Sequence, residues 1–162
     1  MREVALAAIS EEGIACLLVT HDANEAFAVA DRIAVMKDGC ILQEDRPDRI
    51  YAAPASLSVA TALGHIRTLD ITDLPDLWRS GLTGDGKVHL RNEAIVHDAG
   101  SPVRLKVISA RRQPGCALVE LALPDGAVAT AVSLSGTLPR MGEFLPVRFE
   151  RSFAYTFNAA QT

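Results

Sequence analysis

The sequence predicts an α+β protein in which a partial α/β segment, residues 1–64, is followed by a small all-β barrel, residues 65–162. Residues 14–20 form an apolar run without charge or alternation, which is typical of a strand buried on both faces of a parallel sheet. Helical periodicity ends near Gly64. Beyond it, short alternating runs are separated by Gly, Pro and Asp turns, as in small barrels and sandwiches.

Composition limits the class of protein. The chain has 162 residues, 49% apolar and 22% charged, which suits one compact domain or two small ones. The net charge is −4, so the chain does not have the excess of basic residues that is typical of nucleic-acid-binding proteins. The longest uncharged run, residues 50–66, is shorter than the roughly 20 apolar residues that cross a bilayer, and Glu3 and Glu11 interrupt any signal peptide. We expect a cytoplasmic protein without nucleic-acid partners or direct membrane insertion.

The first segment predicts alternating short elements. Asp22, followed three residues later by Glu25, resembles a capping box, so a helix is expected from Ala23 to about Ala30. Asp38-Gly39 predicts a hairpin turn. The remaining expected elements are a helix over 2–12, strands at 32–36 and 40–43, and short helices from Pro47 to Tyr51 and from Pro54 or Ser56 to near Gly64.

The second segment predicts strands near residues 104–107, 119–123, 128–132, 145–149 and 153–157. Phe153, Tyr155 and Phe157 alternate on one face of the last of these strands. Core packing or barrel closure is one role for these rings, and a homodimer contact is the other.

The cysteines offer little sign of a metal site. Cys16, Cys40 and Cys116 lie far apart without a CxxC pair, which is typical of buried, reduced thiols. Zinc binding with His89 or His97 is the alternative, but neither histidine has metal-ligand spacing to a cysteine. We expect no metal ligand.

His21 is the candidate catalytic residue. It lies where the predicted buried strand ends and a helix begins, the edge at which ligands gather in open α/β sheets. An imidazole there could donate a hydrogen bond to a phosphate oxygen or hold an attacking water. A purely structural histidine is the alternative.

Residues 17–54 match a longer pattern. The matching elements, in order and spacing, are Leu18-Val19-Thr20-His21-Asp22, Glu25-Ala26, Ala30-Asp31-Arg32-Ile33, Val35-Met36, Asp38-Gly39, Ile41, Gln43, and Pro47 to Tyr51 with Pro54. This string resembles the segment around the histidine switch of ATP-binding subunits in ABC importers. The fold class is then a partial α/β tail of an ABC ATPase, followed by the barrel.

The resemblance implies a role for His21. In the family, the switch histidine reaches the γ-phosphate of ATP and helps to order the hydrolytic water, since phosphoryl transfer depends on positioning and charge stabilisation. Asp22 is expected to cap a helix, and Asp31 and Arg32 to fix loop and strand packing. ATP and Mg²⁺ as cofactors, and membrane permease subunits as partners, belong to the full-length family context.

Several family motifs are missing. The glycine-rich phosphate loop, glutamine loop, signature and second acidic motif precede the histidine switch in the family, and only about twenty residues precede His21 here. Residues 81–88 fit GxxxxGK, but Val88 replaces the Ser or Thr that ligates Mg²⁺, so they predict a turn. Residues 134–137 also predict a turn. We therefore expect no cofactor for this chain alone, and no ATP turnover.

Residues 65–162 are similar, more weakly, to the OB/TOBE-like regulatory barrel that follows the ATPase in importers for iron, polyamines, molybdate or sugars. The similarity lies in residues 90–95, in 119–126, in Leu138-Pro139, and in Gly142 and Val147. The resemblance implies subunit pairing, regulator contact or oxyanion binding. Arg111, Arg112 and Arg140 are candidates to hold an anion, or they are solvated surface groups.

Two functions remain open. The first is a C-terminal portion of an importer ATP-binding subunit, with a regulatory and dimerisation barrel. The second is a stand-alone oxyanion sensor. An independent hydrolase is disfavoured, because no nucleophile or second base accompanies His21. The first interpretation leaves residues 14–19 as an exposed edge, so we expect self-association as a homodimer.

Overall fold

The computed structural model describes residues 13–83, 86–158 and 161, and the helix predicted over 2–12 lies outside them. The chain divides into two compact units, Met1–Ala55 and Ser56–Thr162. The sequence predicts the boundary later, between Gly64 and His65. The division falls earlier because Ala60, on a helix within 56–64, packs with Tyr155 and Phe157 of the second unit.

The described residues of the first unit, 13–55, contain two short helices and one hairpin. Its elements are α1 (Ala23–Val29), β1 (Ile33–Lys37), β2 (Cys40–Asp45) and α2 (Pro47–Ala52). The antiparallel strands β1 and β2 are joined by Asp38 and Gly39, both with left-handed φ values of 52° and 78°. Two successive left-handed residues make the turn that matches the twist of a hairpin. The predicted hairpin and helix α1 are confirmed.

The buried strand predicted over residues 14–20 is wrong. This segment has no regular secondary structure, and Leu17 and Val19 are 90% and 88% exposed. A parallel strand is buried only when neighbours pair with both its edges and other elements cover both its faces. In residues 13–83, 86–158 and 161, no strand pairs with this run. The apolar side chains of Leu17 and Val19 are therefore exposed to solvent.

The second unit is mainly β-structure. It begins with α3 (Leu57–Ala62), which Ser56 caps by accepting the backbone N–H of Val59 at 3.3 Å. The other elements are β3 (Arg67–Asp70), α4 (Asp76–Arg79), β4 (Lys87–Leu90), β5 (Ile95–His97), β6 (Arg104–Gln113), β7 (Cys116–Ala122), β8 (Val128–Ser133), β9 (Phe144–Phe149) and β10 (Ala154–Tyr155), with 3₁₀ turns at Ile71–Asp73, Asn92–Ala94 and Arg151–Phe153.

A closed barrel organises this unit. Its strand order is β5-β8-β7-β6-β9, and β5 closes it by pairing in parallel with β8 and antiparallel with β9. Burial alternates along β8, as expected for a strand with one inward face. The fully buried Val107, Val119, Leu121 and Val147 belong to its core. The predicted α+β class with a small OB-like barrel is thereby confirmed.

A second sheet, of order β10-β4-β3, adds Leu69, Val88 and Leu90 to the same core. The strand predicted over 153–157 is shorter than expected, because Phe153 ends a 3₁₀ turn and β10 has two residues. Its rings are nevertheless packing groups. Tyr155 and Phe157 are 8% and 5% exposed, so these two rings have little exposed surface with which to form a homodimer contact.

No helix in the described ranges is long and apolar enough to cross a bilayer.

Candidate functional site

His21 is exposed at the junction between residues 14–20, which have no regular secondary structure, and helix α1. The residues on either side of it hold the junction. Thr20 Oγ1 accepts the backbone N–H of Asp22 at 3.0 Å, and Asp22 Oδ1 accepts the N–H of Asn24 at 2.9 Å. Asp22 is therefore the N-cap of α1, as predicted, and its carboxylate is engaged in capping. The imidazole of His21 is left facing solvent.

The hairpin next in sequence is held by polar side chains. Arg32 Nε donates to Glu44 Oε1 at 2.7 Å, which joins the start of β1 to β2. This hydrogen bond and the Glu44 charge raise the pKa of Arg32 above its ordinary value. Gln43 uses both ends of its amide, donating to Ala53 O at 3.0 Å and accepting from Ala55 N at 2.7 Å. Arg32 thus has the packing role that the sequence predicts for it.

The lysine of the GxxxxGK string is not placed as in a phosphate loop. Lys87 begins strand β4 rather than a helix, and its Nζ lies 2.6 Å from Asp70 Oδ1. A phosphate loop needs a free lysine ammonium and backbone N–H groups at a helix N-terminus. Residues 134–137 are also a turn, in which Thr137 N donates to Ser135 Oγ at 3.2 Å.

The two candidate zinc histidines have separate partners. His89 is 1% exposed, and its Nδ1 lies 2.8 Å from Thr68 Oγ1. His97 Nδ1 lies 3.2 Å from Ser133 Oγ. Within the described part of the chain, no group of three or more His, Cys, Asp and Glu side chains is placed to hold a metal ion.

The arginines named as an anion site are not brought together. Arg112 Nη2 donates to the carbonyl of Gly136 at 3.0 Å. Arg111 precedes it on β6, so the two side chains leave opposite faces of the strand. Arg140 is exposed on the turn before β9.

A buried arginine is the polar feature that sequence reasoning missed. Arg91 is 1% exposed, with Nε donating to Tyr155 Oη at 3.0 Å and Nη2 to Ala60 O at 3.3 Å. Its guanidinium carbon lies 5.6 Å from the Tyr155 ring centroid. Arg91 therefore joins α3 to β10. Its place between the apolar Leu90 and Ala94-Ile95 was the available signal in the sequence.

Two carboxyl groups of the second unit share a hydrogen bond. The bond to Asp125 raises the pKa of Asp73, and the same bond lowers the pKa of Asp125. Asp73 also accepts the N–H of Asp70 at 3.0 Å, and Asp125 accepts that of Ala127 at 3.3 Å. The pair therefore holds a proton more tightly than two isolated carboxyl groups do.

No family model matches the chain. Its homologues, however, are ATP-binding subunits of ABC importers, which confirms the resemblance seen around His21. The Fe(3+) ions import ATP-binding protein FbpC of Rhizobium etli is 33% identical over 121 residues, which are 75% of this chain and 30% of that protein. FbpC of Photobacterium profundum is 36% identical over 97 residues, 51% of this chain and 28% of that protein.

The similarity extends to polyamine importers. The spermidine/putrescine import ATP-binding protein PotA of Oleidesulfovibrio alaskensis is 52% identical over 60 residues, 37% of this chain and 16% of that protein. In all three relatives the match covers 30% of their length or less. This agrees with the prediction that the chain corresponds to a portion of such a subunit.

Proposed function

We propose that the chain acts as a C-terminal, regulatory and interaction portion of an ABC importer's ATP-binding subunit, and that it does not hydrolyse ATP alone. The observation that carries the proposal is the 33% identity over 75% of the chain to a part of an import ATP-binding protein. The closed barrel, residues 95–149, fits a regulatory domain that follows the ATPase segment. Fe(3+) and polyamines are the candidate solutes, because the relatives carry those names.

Two features of the described residues support the proposal that the chain does not bind ATP by itself. Lys87 is paired with Asp70, and the GxxxxGK string leads into a strand. His21 is solvent-exposed just before α1. The sequence assigns no second residue that would bind phosphate together with it. We therefore propose that His21 meets nucleotide only together with the rest of an ATPase domain, where a positioned imidazole would donate to a phosphate oxygen.

The proposed partners are a second copy of the chain and, in a complete transporter, membrane permease subunits. The exposed residues 14–20 support self-association, since Leu17 and Val19 expose nearly all of their apolar side chains. The proposed location is the cytoplasm, with the membrane reached only through the permease. The proposed domain roles are an ATPase tail before the barrel and a TOBE-like module at the barrel.

A chimera tests the role of His21. Residues 14–162 would replace the matching part of the Rhizobium etli FbpC protein, and ATP hydrolysis would be measured. We expect His21→Ala to reduce turnover at least a hundredfold, because positioning and charge stabilisation supply most of phosphoryl-transfer catalysis. His65→Ala, at another exposed histidine, is the control and should leave turnover unchanged. Equal turnover in the His21→Ala chimera and its parent would contradict the assignment.

A further inference from the structure

The second unit contains an open cleft of about 420 Å³ beside the barrel, within the size range of small-ligand sites. Its wall is formed by Trp78 of α4, whose ring stacks on Phe149 of β9 at 5.2 Å with an interplanar angle of 11°. Trp78 belongs to the barrel core, and Phe149 packs against that core. The wall is therefore fixed by the fold, and a ligand would meet a largely formed surface.

Two arginines line this cleft, and they differ in whether a carboxylate is their partner. Arg148 Nε lies 3.5 Å from Asp98 Oδ2, and Arg148 also pairs with Glu150. Arg151 donates through Nη2 to the carbonyl of Ser80. Over residues 13–83, 86–158 and 161, Arg151 makes no ion pair with a carboxylate. The two arginines and the two carboxylates are together neutral, and Arg151 is the guanidinium of this pair that has no carboxylate partner among the described residues.

Two polar side chains in the cleft already have partners. Asp98 Oδ1 accepts the backbone N–H of Gly100 at 2.9 Å, in addition to the ion pair of its other oxygen. Ser101 Oγ donates to Val147 O at 2.6 Å and accepts from Val103 N at 3.2 Å. The Arg151 guanidinium keeps N–H donors beyond the one given to Ser80. This arrangement favours an anion over a cation or a neutral ligand that must donate hydrogen bonds.

The Arg151 guanidinium lies close to the backbone at Gly81. A Cβ placed on Gly81 would lie 2.9 Å from Arg151 Nη1, so a larger residue there would displace the guanidinium from its present position. Beside it, Leu77 is 68% exposed and Pro102 is exposed, which gives the cleft an open apolar rim. Covering that rim would add hydrophobic contact to the charge interaction.

We propose that this cleft binds a small carboxylate that carries an apolar group. The carboxylate accepts two N–H groups from the edge of the Arg151 guanidinium, and the apolar group covers Leu77 and Pro102. A monoanion matches the one guanidinium without a carboxylate partner better than a phosphate dianion does. The proposal is independent of nucleotide chemistry and of His21.

Trp78 provides the readout, because it is the single tryptophan of the chain and forms the cleft wall. Cyclohexanecarboxylate would be titrated into the full chain while the fluorescence and the indole N–H resonance of Trp78 are followed. We expect saturable shifts at millimolar concentration. The neutral cyclohexanecarboxamide and inorganic phosphate should each bind at least tenfold more weakly, since one lacks the charge and the other the apolar group. Equal binding of either one, or no saturable shift, would overturn the proposal.

Variants separate the two contacts. Arg151→Gln should weaken carboxylate binding about tenfold or more, as expected for the loss of a charge-assisted hydrogen bond. Arg111→Gln, an exposed barrel arginine outside the cleft, should leave it unchanged. Leu77→Ser removes the apolar contact at an exposed site and should also weaken binding, which keeps the test informative if Arg151→Gln does not fold. Unchanged affinity in Leu77→Ser and in a folded Arg151→Gln would overturn the proposal.

Discussion

At the scale of single residues, burial and hydrogen bonding distinguish Arg91 from the other arginines. A buried guanidinium requires acceptors, and Arg91 finds them on Tyr155 and Ala60, at two separate parts of the second unit. The sequence shows the apolar residues next to Arg91 but could not predict its hydrogen-bond partners. Tyr155 and Ala60 are 64 and 31 residues away from it along the chain. Long-range contacts of this kind depend on the assembled barrel and not on local pattern.

Replacing Arg91 should destabilise the second unit. Arg91→Ala leaves the Tyr155 hydroxyl and the Ala60 carbonyl without this donor and opens a cavity, so we expect a loss of about 2–4 kcal/mol in the free energy of unfolding. Urea denaturation measures it. Arg104→Ala, at an exposed position on β6, is the control and should change stability by less than about 0.5 kcal/mol. Equal midpoints for the two variants would contradict the assigned role.

A substitution at Gly64 also tests the packing around Arg91. The φ of Gly64 is 150°, and a Cβ at this position would lie 3.0 Å from Arg91 Nη1. Gly64→Ala should therefore lower stability by about 1–3 kcal/mol through backbone strain and crowding. Gly136→Ala has open space around its Cβ and should be nearly neutral. Thermal denaturation of both variants distinguishes strain at Gly64 from a general cost of replacing glycine.

At the scale of elements, local turn and cap chemistry was predictable from the sequence and buried strands were less so. The Asp22 cap, the Asp38-Gly39 hairpin and the Pro-led helix α2 depend on neighbouring residues alone. The run at 14–20 depends on elements that pair with it, and its composition could not show whether they are present. Strands β3 to β5 were missed because each has only 3 or 4 residues.

The exposed run predicts self-association. We expect the chain to sediment as a dimer, because covering the apolar residues at 14–20 removes them from water. Leu17→Lys with Val19→Lys should shift the equilibrium towards monomer. Leu134→Lys, at a residue of the second unit that is 74% exposed, is the matched control. A monodisperse monomer of 17.3 kDa for the unaltered chain would contradict the prediction.

The Asp73–Asp125 contact joins the 3₁₀ turn before α4 to the turn between β7 and β8, and it should give stability a pH dependence. Because the pKa of Asp73 is raised on folding, the folded state binds more protons at this group than the unfolded state does. The stabilising contribution of Asp73 is present below its unfolded value of 3.8 and is lost as pH rises through the raised pKa. The lowered pKa of Asp125 acts in the opposite sense, so its contribution is lost in acid.

Asp73→Asn isolates the first effect. The amide keeps a donor for Asp125 without a titrating proton, so the variant should gain melting temperature relative to the parent as pH rises from about 4 to 7. Asp31→Asn, at an exposed carboxylate of the first unit, is the control and should not show this trend. A difference between Asp73→Asn and the parent that stays constant with pH would contradict the shared proton.

At the scale of the whole molecule, the two compact units meet before α3, whereas the change of pattern in the sequence lies after it. The barrel could be predicted as a class from alternation and turns, since these are local signals. Its closure by β5 could not, because β5 has 3 residues and pairs with strands far along the chain. The helix that follows His21 was predictable, but the buried strand expected before it is not formed, and the catalytic role of His21 stays a prediction.

We propose that this chain is a portion of an ATPase subunit that does not turn over ATP alone. Phosphate release by the purified full chain with ATP and Mg²⁺, measured beside its His21→Ala variant, tests this most directly. We expect both proteins to remain at the rate of the protein-free control, because Lys87 is paired with Asp70 and no phosphate loop accompanies His21 in the described residues. Hydrolysis by the parent chain that His21→Ala abolishes would contradict the proposed function.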